Sequence, residues 1–463
     1  MTAPMRPDQM VETALATSTA DGCVVLVEES HQANLRWAGN TLTTNGDARA
    51  RSMTVVAVAG DDDDAAAAAL TRTVAHPDEI TDLVTDAADL AARTPREQSA
   101  APLVPGEQSA DFTEPPAAGG ISVLDGVAGD LGDVLARARS SGILTYGYAE
   151  HVLTTSYLGT SAGVRSRQVQ PSGHLTITAK DDTLASSTWT GRATRDFSDI
   201  DLHELDDELR RRLAWSARTV DLSPGRYRTV LPPTSVADLA VSAYWEMGAL
   251  AAHEGRTVYA RPGRGTKVGQ QIVDPRVTLR SDPSYPGLEC ADVVMTAASS
   301  PMSSVFDNGL AMAATDWVAR GRLESLVATR HSASVTGLPL TPGIDNLVLE
   351  VAGGRGSVED LAAGLDDGLL LTSLWYIREV DPRTLLLTGL TRDGVFVVRG
   401  GEVVGAAPNF RFNESPVDLL GRIHAAGATV ATFSREWGEW FPRTAMPALT
   451  VDDFNVSTLS EAH

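Results

Sequence analysis

Three prolines and a glycine interrupt the middle of the chain: Leu222 to Gly225 reads LSPG, and Pro232-Pro233 follows a few residues later. Proline has a fixed φ and no backbone N–H, so neither a helix nor a central strand runs through such a stretch. The chain has 463 residues, which is long for one core and comfortable for two. The break therefore predicts an α+β protein of two domains. Residues 1–222 form an N-terminal α/β domain with a mixed antiparallel sheet, and residues 223–463 form a β-rich C-terminal domain.

In the first half, Val11 to Ser18 is helix-compatible. Cys23 to Glu29 (CVVLVEE) and Ala33 to Gly39 (ANLRWAG) read as paired strands, with a third within Ala48 to Gly60. Asp61 to Asp64 then precede the alanine run Ala65 to Ala69. Carboxylates ahead of alanines fit a helix entry, with negative charge at the positive end of the dipole. Four consecutive acids cannot all converge on one ion, which argues against a metal cluster. Arg93 to Gly120 is rich in Pro, Ala, Ser and Glu without an apolar period, and is expected as a long surface loop or mobile linker. A helix is expected over Leu131 to Ala138, alternating strands with one wet face over Ile143 to Thr194, and a helix over Asp201 to Arg218.

After the break a strand (YRTVL) leads to a long helix, Val236 to His253, capped by Ser235. Strands VTLRSD, LVLEVAGG, GLLLTSLWYI and TLLLTGLT follow, then the hairpin GVFVVRGGEVVGA, a helix over Val417 to Ala425 and a final strand, ALTVDDFNVST.

Charge excludes more than it assigns. Sixty acidic against 38 basic residues give a formal net charge of -22. That balance repels nucleic acid and anionic lipid at long range, and leaves room for an acidic cleft that attracts a basic peptide. No apolar stretch reaches the about 18 residues a membrane span needs. Met1 to Glu12 lacks the basic-then-apolar pattern of a secretory leader, so a cytoplasmic location is expected. Cys23 and Cys290 are the only cysteines, with no CxxC pair or Cys/His cluster for a structural zinc knot.

The nine histidines are His31, His76, His151, His174, His203, His253, His331, His424 and His463, and no two lie four or five residues apart. A zinc helix needs two imidazoles on one face, so the HExxH class is excluded. His253-Glu254 begins like that motif, but Thr257 and Val258 occupy the positions of a second histidine and Gly255 ends the helix. Gly159 to Gly163 matches GxSxG but lies between strand-like segments, which makes it a hairpin turn and leaves Ser161 unactivated. Gly263-Arg264-Gly265 lacks phosphate-loop spacing. It turns the backbone tightly, or it binds an extended peptide through its exposed amides, with Gly263, Gly265 and Thr266 as the candidate residues.

Beyond the break, four segments succeed one another in a telling order. They are AAHEGRTVYARPGRGTKVGQQIVDPRVTLRSDP, SSVFDNGLAMAATDWVARGRLESLVATRHSA, NLVLEVAGGRGSVEDLAAGLDDGLLLTSLW and TLLLTGLTRDGVFVVRGGEVVGAAPNFRFNESPVDLL. Their succession resembles the core of the TldD/PmbA family, in which PmbA is also called TldE, over most of residues 222–463. TldD-type chains carry HExxxH on the long helix and a late cysteine, which together bind the catalytic metal. Aligning Lys267-Val268-Gly269 with the family's glycine-rich segment puts that motif window on Trp245 to Leu250. Trp245 and Leu250 replace the histidines, Glu246 keeps the acidic position, and no cysteine follows Cys290.

The resemblance thus implies a TldE-type subunit with no catalytic residue, no metal and no cofactor of its own. Zinc belongs to a TldD-type partner carrying HExxxH, and peptides or unfolded polypeptides are the substrates of the pair. A lone carboxylate cannot hold zinc, so Glu246 is expected to face solvent or an interface. Two other readings stay open: a self-sufficient, metal-free enzyme of a biosynthetic pathway, and a protein that binds a leader peptide.

Overall fold

A computed structural model describes residues 5–61, 63–74 and 76–460. Asp62, within the acidic run, and His463 lie outside the described residues.

The first half begins with α1 (Pro7–Thr17), β1 (Gly22–Ala38), β2 (Thr41–Asp61), β3 (Asp64–Arg72) and α2 (Pro77–Ala91). It continues with α3 (Asp125–Ser140), β4 (Leu144–Thr160), β5 (Arg165–Lys180), β6 (Ser187–Thr194) and α4 (Leu202–Ser216). The six strands make one antiparallel sheet in the order β3-β2-β1-β4-β5-β6. Strand periodicity gives this sheet two unlike faces. Cys23, Val25, Val27, Leu35 and Trp37 of β1 are buried with side chains of α1, α2, α3 and α4. Val24 and Leu26 point the other way and pack with Val305 and Phe306 of the second half.

Two local expectations fail in this half. Cys23 to Glu29 and Ala33 to Ala38 are parts of one strand, because Ser30, His31 and Gln32 keep ladder partners on both sides. The alanine run is strand β3 and not a helix: Asp61 and Asp64 close a hairpin, and Ala65 to Ala68 pair with β2. Alanine favours helix in isolation, but here its small side chain lets α2 pack on the sheet edge, and pairing overrides propensity. Residues 93–120 lie against the sheet without regular secondary structure. Phe112 is fully buried, edge-on to Tyr157 at 6.0 Å between ring centroids, and the Tyr157 hydroxyl donates to the Glu114 carbonyl at 2.6 Å.

The second half runs β7 (Gly225–Leu231), α5 (Pro233–Trp245), α6 (Ala249–His253), β8 (Val277–Ser281), β9 (Thr315–Ala319) and β10 (Arg322–Leu323). Next come α7 (Arg330–Thr336), β11 (Leu347–Val351), α8 (Val358–Ala363), β12 (Asp367–Asp381), β13 (Leu386–Arg399) and β14 (Glu402–Ala407). It ends with β15 (Phe410–Glu414), α9 (Pro416–Leu420), β16 (Ile423–Thr432) and β17 (Thr444–Leu459). All eleven strands belong to one mixed sheet. β17 pairs with β7, β7 with β12, β12 with β13, β13 with β15, and β15 again with β17, so five strands close into a ring. Phe410, Phe412, Leu449 and Phe454 of that ring share a core with α5. The hairpin β13–β14 turns at Gly400-Gly401, whose φ values of 59° and 78° are those a two-residue turn requires.

Pro233 opens α5, where a missing N–H costs nothing, and Pro232 caps it; Ser235 sits inside the helix and is not its cap. The long helix expected over Val236 to His253 is two helices. Between them the Met247 carbonyl accepts from Val327 N, and Ala249 N donates to the Val327 carbonyl, both at 2.8 Å. This strand-like pairing stops the helix at Trp245. The helix expected over Val417 to Ala425 ends at Leu420, where Gly421 follows and β16 takes over from Ile423.

Candidate functional site

The motif window occupies the joint between α5 and α6. Trp245, the last residue of α5, meets Trp437 edge-on with ring centroids 5.2 Å apart. Trp437 is fixed from below: its indole N–H donates to the Asp238 carbonyl (2.9 Å) and to Ser242 Oγ (3.1 Å), both on α5. The segment carrying it is pinned to the same helix, since Ser434 Oγ (2.6 Å) and the Glu436 amide (2.8 Å) both donate to Asp238 Oδ1. Two indoles therefore pack together beside the first position of the window. Leu250 lies on α6, and among the described residues no three His, Cys, Asp or Glu side chains converge as metal ligands would.

Two carboxyl groups near the window are unusual. Glu246 is half-buried and does not simply face solvent. Burial, then repulsion from and hydrogen bonding with Glu379 of β12, push its pKa up to about 7, with Arg256 opposing. Burial and a neighbouring like charge both disfavour the ionised form, so Glu246 titrates near neutrality. Asp238 is completely buried, and desolvation pushes it up to about 7 despite the donors from Ser434 and Glu436. Its second oxygen, Oδ2, has no hydrogen-bond partner.

A cleft of about 530 Å³ opens between the outer face of the first sheet and the second half. Its floor is the wet face that alternation predicts: Thr154 and Ser156 of β4 stand opposite Gln170 and Gln168 of β5. Its roof carries Met295, Met302 and Met312. Met302 also lies over Gly248, which ties the cleft to the window. Sequence reading finds the alternation but not the cleft, because the roof comes from the other half of the chain. Amide and hydroxyl groups facing flexible thioethers suit an extended, variable polypeptide.

The remaining candidates fall elsewhere. Gly263 and Gly265, with φ values of 92° and 99°, form a tight turn in which Arg261 N donates to the Gly265 carbonyl and Gly265 N donates to the His253 carbonyl. Neither they nor the buried Thr266 line the cleft. Arg264 Nε donates to His253 Nε2 at 3.0 Å, which occupies that imidazole at the end of α6. Ser161 sits in the β4–β5 turn and its Oγ accepts from Cys23 N at 3.0 Å. Cys290 is buried, and burial pushes its thiol up to about 11, so it is not a thiolate at neutral pH.

Residues 224–458 match the family described as PmbA/TldA metallopeptidase C-terminal domain. No curated protein sequence matches the chain. Among solved structures, TldE from Thermococcus kodakarensis is similar with a TM-score of 0.75 at 16% identity, over 97% of this chain and 99% of that one. A putative modulator of DNA gyrase from Bacteroides thetaiotaomicron gives 0.74 at 14% identity, over 97% of each chain. A second, from Thermotoga maritima, gives 0.70 at 15% identity, over 94% and 95%. These three likenesses show that the fold is shared.

Proposed function

The chain belongs to the TldD/PmbA family of metallopeptidases, and from that premise we propose that it is a TldE-type, metal-free subunit working beside a TldD-type chain that carries HExxxH. The observation that supports this most is the packed window: Trp245 and Leu250 stand at the histidine positions, and Trp437 fills the space next to Trp245. The partner's zinc would supply activated water and polarise the scissile carbonyl. This chain's part is binding. Gln168, Gln170, Thr154 and Ser156 offer hydrogen bonds to an extended substrate backbone, and the methionines adapt to its side chains. Among the described residues no helix is long and apolar enough to cross a membrane, and the reading sets the pair in the cytoplasm.

One observation favours a second reading, a self-sufficient enzyme without metal. Glu246, titrating near pH 7 against Glu379, is equipped for proton transfer at neutral pH. Co-expression with an HExxxH chain separates the two. The partner reading expects the two chains to elute together and to cleave an unstructured polypeptide only when mixed, with Glu246→Gln retaining that cleavage. Cleavage by this chain alone, abolished in Glu246→Gln, contradicts the partner reading and establishes the second.

A further inference from the structure

Just past the motif window the chain reverses its charge. From the end of α6 to Gly269 it reads HEGRTVYARPGRGTKVG, with Arg256, Arg261, Arg264 and Lys267 against the single acid Glu254. The protein as a whole carries a formal net charge of -22. Nothing in the proposed peptidase role uses this segment, and none of its residues lines the cleft.

The segment folds back on itself. Ala260 bridges Thr266 in antiparallel fashion, and Lys267 N donates to the Tyr259 carbonyl at 2.8 Å. Arg261, Pro262, Gly263 and Arg264 form an exposed tip. A side chain placed at Gly263 would meet no atom within 4 Å, so the space over the tip is open. The base of the turn is fixed: Tyr259 and Thr266 are buried, and the Tyr259 hydroxyl donates to the Ala243 carbonyl of α5 at 3.0 Å.

Arg256 is neutralised by Glu254 at 2.6 Å. The other three cations bond only neutral acceptors. Arg261 Nε donates to the Thr266 carbonyl (2.6 Å), Lys267 Nζ to the Val258 carbonyl (2.7 Å) and Arg264 Nε to His253 Nε2 (3.0 Å). Among the described residues none of the three has a carboxylate partner. These bonds hold the side chains in place without cancelling their charge, and each guanidinium keeps further N–H groups for a ligand. Like charges gathered on one turn repel each other, and an anionic partner relieves that repulsion. Because the cations are already held, less ordering entropy is lost on binding.

We propose that this turn docks an acidic segment of another polypeptide, one that brings two or three Asp or Glu side chains close together in sequence. The arginine fork matches a carboxylate in geometry as well as charge. A nucleic acid is a poorer fit, since its phosphates run on past the turn and meet the repulsion of the acidic remainder. A short acidic run stays within the basic island. The site lies beside the window, separated from it by the five residues of α6, about 7.5 Å along a helix. It does not depend on an HExxxH partner.

Fluorescence anisotropy of the full-length chain, alone, tests it with a labelled peptide of alternating glycine and glutamate. The comparisons are the same peptide with glutamine for glutamate, a single-stranded oligonucleotide, and inorganic phosphate as competitor. The glutamate peptide is expected to bind about tenfold or more tightly than its glutamine twin, the scale of a charged hydrogen bond. Its binding should weaken as salt rises, because the charges are exposed. Arg261→Gln combined with Arg264→Gln should remove most of the preference without lowering the melting temperature, since both side chains are exposed. Arg383→Gln, at an exposed arginine of the β12–β13 turn, should leave it unchanged. Equal binding of the two peptides by the parent chain would overturn the proposal without recourse to any variant. So would parental affinity in the double variant, or an equal loss in Arg383→Gln. Tighter binding of the oligonucleotide, or displacement by phosphate at the concentration of the peptide's carboxylates, would overturn the assignment to a polypeptide. The titration needs no second chain, so its failure leaves the two-chain reading standing.

Discussion

Replacing Arg435 by alanine is expected to lower the stability of the fold by about 3–5 kcal/mol, the cost of stranding a buried charge. Arg435 Nη2 lies 2.6 Å from Asp393 Oδ2, and Asp393 is 4% exposed. The other oxygen of Asp393 accepts from Ser187 Oγ at 2.7 Å. The same guanidinium bonds Ser373 Oγ and lies over the rings of Trp189 and Trp375, at 4.5 and 5.1 Å from their centroids. Ser187 and Trp189 belong to β6, whereas Ser373, Trp375 and Asp393 belong to β12 and β13. One side chain thus fastens the first sheet to the second. Alanine leaves the buried Asp393 carboxylate with the Ser187 hydroxyl and only the more distant Arg392 guanidinium, 4.0 Å away, and lysine keeps the charge but loses the fork and the stacking. Urea denaturation should place the alanine variant lowest and the lysine variant between it and the parent. A loss below about 1 kcal/mol for Arg435→Ala, the scale of an exposed pair, would contradict this role.

Asp238 is also expected to contribute a stability that falls as pH rises from about 4 to about 7, and Asp238→Asn should remove that contribution. The carboxyl of Asp238 is held up to about 7 in the folded chain, against an ordinary value of 3.8. Below the lower value both states are protonated and the contribution is fully present. Between the two values the folded chain keeps a proton that the unfolded chain has lost, so each pH unit costs up to about 1.4 kcal/mol. Above the higher value the loss is complete. Asparagine is neutral throughout, and its carbonyl oxygen can still accept from Ser434 and the Glu436 amide. Glu246 adds a smaller trend of the same sign, since it is half-exposed and better solvated. Denaturation midpoints at pH 5 and pH 8 check this: the variant should gain on the parent as pH rises, and parallel profiles would contradict it.

The legible parts of the chain are those whose physics is local. The β13–β14 hairpin follows from Gly400-Gly401 between apolar runs, and the start of α4 from Asp201, whose side chain accepts from the His203 and Glu204 amides. What sequence hides depends on partners far along the chain. The alanine run becomes a strand because β2 is there to pair with it, and the long helix breaks because Val327 bonds on both sides of Gly248. The candidate site divides in the same way. By the family resemblance Trp245 and Leu250 fall where motif histidines are expected, which the sequence offers directly, but the packing of Trp437 against Trp245 and the closeness of Glu379 to Glu246 are not legible there. The cleft floor shows as polar alternation in β4 and β5, while its methionine roof carries no signal at all until the halves meet.

The most direct test of the metal-free assignment is the zinc content, by plasma mass spectrometry, of this chain purified alone and of its complex with an HExxxH chain. The expected result is no stoichiometric zinc in the chain alone and zinc in proportion to the partner in the complex. A full equivalent of tightly bound zinc in the chain alone would contradict it.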